Sequence, residues 1–68
     1  MTPDQFKAAI ARVGLSQEAA GRWFGRSERT GQRWALGEYA VPNHVARLLR
    51  CMIELDLGAI EFDQRFSA

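Results

Sequence analysis

The sequence predicts an all-α fold, a compact bundle of four to five helices. Apolar residues recur at helical spacing near both ends of the chain. Gly14, Gly25 and Gly37 each follow a candidate helix, where a residue without a Cβ readily adopts the left-handed conformation that ends a helix. The 68 residues suffice for one small domain, which buries about 60% of its unfolded surface. We expect a helix-turn-helix domain over residues 1–57 and a tail over residues 58–68 that forms a dimer contact or a short extra helix.

The first helix is predicted to begin at Pro3, because proline fits the first helical position and Thr2 before it is a suitable N-cap. Gln5 completes a capping box with Thr2. Gly14 is expected to end the helix. The apolar residues of this helix recur at helical spacing and are predicted to face the core: Phe6, Ala9, Ile10 and Val13.

Two short helices joined by a tight turn are predicted at about residues 16–36. Ser16 and Ser27 are suitable N-caps, because a serine hydroxyl accepts a backbone N–H from the first helical turn. Gly25 between them lets the chain turn within three or four residues. This order of elements is typical of the helix-turn-helix motif of DNA-binding proteins.

The outer side of the second of these helices is polar and mainly cationic. Trp34 marks its apolar side. The residues expected on the opposite side of a helix with period 3.6 are Ser27, Glu28, Arg29, Gln32, Arg33 and Leu36. In the major groove of DNA, an arginine matches the two acceptors of guanine, and a glutamine matches the acceptor and the donor of adenine. This side therefore predicts contacts with DNA bases.

Charge is divided unevenly along the chain. The net charge is only +1, which is weak for a protein that neutralises phosphates. Residues 1–50 carry eight Lys or Arg against four acids, a net charge of +4, whereas residues 51–68 carry one Arg against four acids, a net charge of −3. Because the positive part contains the helix-turn-helix segment, we expect one face to meet nucleic acid while the tail points away. A mixed, solvated surface is the alternative.

A fourth helix is predicted after Pro42, and its apolar stripe consists of Val45, Leu48, Leu49, Met52 and Ile53. The pattern of this helix favours a buried position for Cys51. Further apolar residues exceed what a four-helix domain needs, and the candidate dimer residues are Cys51, Leu55, Leu57, Ile60, Phe62 and Phe66. Two alternatives remain open for them. A homodimer through this region would place two recognition helices about 34 Å apart on a palindromic site, or the tail folds back onto its own core.

Short motifs spread over about half of the chain form one pattern: LSQ at Leu15–Gln17, Gly21, Gly25, SERT at Ser27–Thr30, RW at Arg33–Trp34, GE at Gly37–Glu38 and VP at Val41–Pro42. In this pattern the sequence resembles the lambda-repressor-like family of helix-turn-helix domains, of the Cro/XRE type. The resemblance implies a lambda-repressor-like fold in which Gln17 holds a phosphate. It also implies base contacts by exposed residues of the recognition helix, namely Ser27, Glu28, Arg29, Gln32 and Arg33. We further expect Arg22 and Arg26 to contact phosphates.

Two positions depart from the family's pattern. Arg26 lies where an apolar turn residue is usual, and Gly31 lies where a branched aliphatic residue usually fills the gap between the two helices. A glycine inside a helix costs about 1 kcal/mol relative to alanine. Gly21 is expected to face Gly31. Either the two helices pack unusually closely, or Trp23 and Trp34 fill the space.

Other classes of function find little support in the sequence. His44 is the single histidine, and no Ser, Cys or acid stands at a spacing that would build a nucleophile and base pair, so we expect no enzyme activity. The single Cys51 leaves no disulfide and no thiol cluster, which favours a cytoplasmic setting without a metal or cofactor. The longest apolar run has four residues, so no membrane segment is expected.

We therefore predict a sequence-specific binder of double-stranded DNA, a small phage-type or antitoxin-like transcriptional repressor with a palindromic operator. The alternative is a protein–protein interaction module on the same scaffold that does not read DNA. The low net charge, Glu28 at the start of the recognition helix and Gly31 motivate this alternative. The two classes differ in their response to salt, because binding to DNA weakens steeply as salt rises.

Overall fold

A computed structural model describes residues 1–67 and contains only helices within that range. The helices are α1 (Pro3–Arg12), α2 (Gln17–Trp23), α3 (Glu28–Leu36), α4 (Asn43–Glu54) and α5 (Ala59–Phe66). The predicted all-α bundle is confirmed, with five helices in this part of the chain. None of the helices in residues 1–67 has both the length and the apolar character that crossing a bilayer requires.

Local capping defines where the first three helices begin. The Thr2 hydroxyl accepts the backbone N–H of Gln5 at 3.1 Å, and the Gln5 side chain accepts the backbone N–H of Thr2 at 2.9 Å, so the capping box is complete. Ser16 caps α2 by accepting from the backbone N–H of Ala19 at 3.0 Å. Ser27 caps α3, and the glycine that ends this helix, Gly37, has a φ of +79°. The predicted helix boundaries are confirmed at these positions.

The core lies between α1, α3 and α4. The predicted stripe of α1 is buried, and Phe6, Leu49, Met52 and Val45 are at most 1% exposed. The edge of the Trp34 ring meets Phe6, with ring centroids 5.8 Å apart, so α3 joins the core through its apolar side. Leu48 and Ile53 are only partly buried and pack against this core.

The tail folds back onto the domain through α5. The backbone N–H of Ala59 donates to the carbonyl of Val13 at 2.9 Å, which ties the start of α5 to the end of α1. The Phe62 ring lies 5.2 Å from the Trp23 ring. The indole N–H of Trp23 also lies 3.1 Å from each carboxylate oxygen of Asp63. These contacts favour the folded-back arrangement for this segment.

The burial of two residues near the α4–α5 connection differs from the prediction. Leu57, expected on a dimer surface, is only 5% exposed. The chain reverses at Asp56, whose φ is +53°, and the backbone N–H of Leu57 then donates to the carbonyl of Met52, which turns Leu57 inward. Cys51, expected to be buried, is exposed, because the buried stripe of α4 passes through Leu49 and Met52 on either side of it.

Candidate nucleic-acid interface

Helices α2 and α3 meet at two buried glycines, and their backbones are in direct contact. A Cβ atom on Gly21 would come far closer than 3.0 Å to the carbonyl oxygen of Ser27, and one on Gly31 would do the same at the carbonyl oxygen of Gln17. Each would also lie within 2.9 Å of the backbone nitrogen of the other glycine. The close approach of the helices therefore explains Gly31, and no side chain fills a gap between them.

The turn between these helices is closed by backbone hydrogen bonds. Gly25 has a φ of +76°, and its N–H donates to the carbonyl of Arg22 at 2.9 Å. The N–H of Arg26 donates to the carbonyl of Gly21 at 2.8 Å. Because Arg26 is exposed, the turn needs no apolar residue at this position, and its guanidinium faces solvent instead.

The two tryptophans lie on the inner side of the helix-turn-helix unit, which comprises α2, the turn and α3. Trp34 is 3% exposed. Besides Phe6, its ring meets that of Phe24, and the centroids of the Trp34 and Phe24 rings lie 6.3 Å apart. Trp23 is half-buried between Phe24 and Phe62, with ring centroids 4.9 and 5.2 Å away. This chain of aromatic rings supports α2 and α3 from behind, so their outer side remains open to solvent.

The outer side of α3 carries the residues expected to contact bases. Four of them are exposed: Ser27, Glu28, Arg29 and Gln32. Arg33 is half-buried, and its side chain is 33% exposed. The Ser27 hydroxyl is already engaged as the cap of α3 and in a hydrogen bond with the Thr30 hydroxyl at 3.0 Å.

Two polar pairs connect α2 with α3 across this outer side. Arg22 forms an ion pair with Glu28. The side-chain amide of Gln32 donates to Glu18 at 2.8 Å. That hydrogen bond is the main reason why the pKa of Glu18 lies below its usual value, with further contributions from a backbone hydrogen bond and the charge of Arg22. Two acids thus accept hydrogen bonds from side chains that we expect to contact DNA.

Arg33 is held by the loop that follows α3. Its Nη1 donates to the hydroxyl oxygen of Tyr39 at 2.6 Å, and its guanidinium carbon lies 4.9 Å from the centroid of the Tyr39 ring. Its Nε also lies 3.8 Å from a carboxylate oxygen of Glu38. The sequence pattern predicted no role for Tyr39, although an aromatic residue two positions after the helix-ending Gly37 was a usable signal.

The side chains expected to contact phosphates and bases differ in whether they already form an ion pair. Within residues 1–67, Arg26 and Arg29 form no ion pair and are exposed. Gln17, in the first turn of α2, is half-buried. Arg22 is exposed but paired with Glu28. The unit therefore presents two unpaired guanidinium groups, one in the turn and one on α3.

The candidate dimer residues are divided between surface and interior. Leu55, Ile60 and Phe66 are 65%, 75% and 61% exposed. Cys51 is also exposed, whereas Phe62 packs on Trp23 and Leu57 is buried. The apolar surface open to a partner is therefore smaller than the sequence predicted.

The described residues contain no group of three or more His, Cys, Asp or Glu side chains that could hold a metal ion. His44 lies in the first turn of α4 and is exposed. Comparisons of the chain with protein-family models, with curated proteins and with solved structures gave no match. The geometry of α2, the turn and α3 is therefore the feature of the molecule that points to a function.

Proposed function

We propose that the protein binds double-stranded DNA in a sequence-specific manner and acts as a small transcriptional repressor. The observation that supports this most is the solvent-exposed outer side of α3, where Arg29 and Gln32 are exposed while Trp34 anchors the helix in the core. A helix supported from behind and polar on its outer side fits the width of the major groove. The resemblance to lambda-repressor-like domains supports the same function.

Residues of α3 would contact the bases, and residues of α2 and the turn would contact the phosphates. Arg29, Gln32 and Arg33 carry the donors that suit guanine and adenine, with Ser27 and Glu28 at the start of the helix beside them. Gln17, Arg22 and Arg26 would position the domain on the backbone of the duplex. The glycine contact supports this division, because it fixes α3 rigidly against α2.

Binding of DNA would replace the polar pairs on the outer side. Arg22 would exchange Glu28 for a phosphate, and Gln32 would exchange Glu18 for a base. Both pairs are exposed to solvent, which weakens them, so their loss is a small cost. The two acids would lower the affinity for every duplex and so favour only sequences that make good base contacts.

A homodimer would complete the proposed repressor. The exposed residues Leu55, Ile60 and Phe66 are its candidate contacts, with Cys51 near them in sequence. Two copies related by a twofold axis would read two half-sites of a palindromic operator, about 34 Å apart. Such a regulator needs no cofactor and no catalytic group, and we propose the cytoplasm as its setting.

The test is a titration of the protein against random-sequence duplexes at about 50 and about 200 mM salt, followed by selection of bound fragments from a random pool. We expect affinity that falls steeply with salt and a selected site with two half-sites. Arg29→Ala should weaken binding to the selected duplex by about 1–3 kcal/mol. Arg50→Ala is the matched control, because Arg50 is also exposed but lies on α4. No binding at either salt, or equal losses in the two variants, would contradict the proposal.

The exposed apolar residues also favour a second candidate, a protein–protein interaction module. Leu36 on the outer side of α3 is 69% exposed, and a leucine there contributes nothing to phosphate binding. In this candidate, Leu36 joins a protein partner and duplex binding is absent. The same titration separates the two candidates.

A further inference from the structure

Tyr39 and Arg33 form a closed local unit at the end of α3. The backbone N–H groups of Glu38 and Tyr39 both donate to the carbonyl of Arg33, at 3.0 and 3.3 Å, which returns the loop to the helix. Gly37 permits this turn with its φ of +79°. The side chain of Tyr39 then holds the guanidinium group of the same arginine, by a hydrogen bond at 2.6 Å and by its ring. The backbone and the side chain of Arg33 are therefore both bound by one short loop.

We infer that Tyr39 is a positioning residue, which holds the Arg33 guanidinium in the orientation from which it reads one base pair. This inference rests on the proposed binding of duplex DNA. It assigns to Tyr39 an effect on sequence preference, exerted through Arg33, rather than a base contact of its own.

The donors of Arg33 are divided in a way that suits this role. A guanidinium group has five N–H donors, and Tyr39 takes one of the two on Nη1. The Glu38 carboxylate lies on the Nε side. Both donors on Nη2 and one on Nη1 have no acceptor among residues 1–67. Two donors of one guanidinium group can bind the two acceptors of guanine together.

Arg29 provides the internal comparison. It lies one helical turn earlier on α3, is exposed and has no ion-pair partner within residues 1–67. A long side chain without a partner loses rotamer freedom when it binds a base, whereas a side chain that is already held loses less. Tyr39 should therefore matter at the base pair read by Arg33 and not at the one read by Arg29.

The experiment uses the full chain and a duplex selected by that chain from a random pool. Affinities of the wild type, Tyr39→Phe, Tyr39→Ala, Arg29→Ala, Arg33→Ala and the double variant Tyr39→Ala/Arg33→Ala are measured for this duplex, for its single base-pair variants and for a random duplex. Thermal unfolding of each variant confirms that it is folded at the assay temperature. Tyr39→Phe keeps the ring over the guanidinium and removes only the hydroxyl, so it separates the two contacts.

We expect Tyr39→Ala to weaken binding to the selected duplex about fivefold, which corresponds to about 1 kcal/mol. Arg33→Ala identifies the base pair that Arg33 reads, because the chain loses its preference there. Tyr39→Ala should weaken the preference at this same base pair and leave binding to the random duplex unchanged. Tyr39→Phe should show an intermediate loss. In the Arg33→Ala background, Tyr39→Ala should have no further effect, because the side chain that it positions is gone.

Three results would overturn the inference but not the proposed function. They are additive effects of the two alanine substitutions, equal losses of affinity for the selected and random duplexes in Tyr39→Ala, or a preference that Tyr39→Ala relaxes at the base pair read by Arg29. An Arg33→Ala variant that keeps every base preference would also overturn it. A wild-type chain that binds no duplex would instead contradict the proposed function, and the inference with it. These outcomes are distinguishable, because the first group requires binding by the wild type and the last excludes it.

Discussion

The contact between α2 and α3 is built from backbone atoms, whereas the contacts of α1 and α4 are built from large side chains. At Gly21 and Gly31 the backbones are too close for a Cβ atom on either residue. Around α1 and α4, Phe6 and Leu49 are fully buried and fill the space between the helices. The two regions should therefore respond differently to substitution. A backbone contact has no room for even one methyl group, whereas a side-chain core loses stability in proportion to the atoms removed.

The largest expected effect is that of Gly31→Ala. Helix propensity alone favours alanine by about 1 kcal/mol. The new methyl group would overlap the carbonyl oxygen of Gln17, which cannot move unless the two helices separate. We expect the free energy of unfolding to fall by about 3 kcal/mol, measured by urea denaturation.

Gly58→Ala is the matched control for that substitution. A Cβ atom at Gly58 would lie 3.6 Å from its nearest neighbours, which is an ordinary contact distance. Since Gly58 is the N-cap of α5, where alanine is less favourable than glycine, we expect a loss of less than about 1 kcal/mol. A Gly31→Ala variant as stable as the wild type would contradict the close contact described for α2 and α3.

A smaller effect is expected for Ile10→Val in the side-chain core. Ile10 is 3% exposed, and its replacement by valine removes one methylene group. The free energy of unfolding should fall by about 1 kcal/mol in the same urea titration. Affinity and base preference for a selected duplex should not change, because α2 and α3 stay in place. A loss as large as that of Gly31→Ala would show that the two regions do not differ in their tolerance.

The smallest effect concerns the pH dependence contributed by Glu18. Because the pKa of Glu18 in the folded protein lies below 4.5, its ordinary value, the carboxylate stabilises the fold above that pH. This contribution is lost as the pH falls from about 4.5 through the lower folded-state pKa. Glu18→Gln should remove it.

The measurement is the thermal unfolding midpoint of the wild type and of Glu18→Gln, from neutral pH down into the acid range. The wild type should lose more stability than the variant over the interval below pH 4.5. Gln32→Ala, which removes the donor to Glu18, should reduce the difference between them. Identical acid profiles for the wild type and Glu18→Gln would contradict the described hydrogen bond.

Much of the fold follows from interactions between residues that are close in sequence. The capping box of Thr2 and Gln5 and the serine caps each join residues three positions apart, and the glycines that end helices act through their own φ. The apolar stripe of α1 has helical spacing and is buried. These features depend on local geometry, so the sequence was sufficient to predict the helices, their number to within one, and the outward side of α3.

The candidate site was predicted less completely, because its details depend on contacts between distant segments. The sequence placed Gly21 opposite Gly31 but left open whether the helices approach or a side chain intervenes. It did not indicate that Gln32 bonds to Glu18, or that Trp23 meets Asp63 across 40 residues.

The sequence by itself determined the helices, their caps and the polar side of α3, because each of these is decided within a few residues. Only the tertiary structure decided the backbone contact at Gly31, the burial of Leu57 and the exposure of Cys51. It also decided that Tyr39 holds Arg33. The physical reason is that a side chain's neighbours depend on how closely and at what rotation the helices pack, and helical periodicity specifies neither quantity.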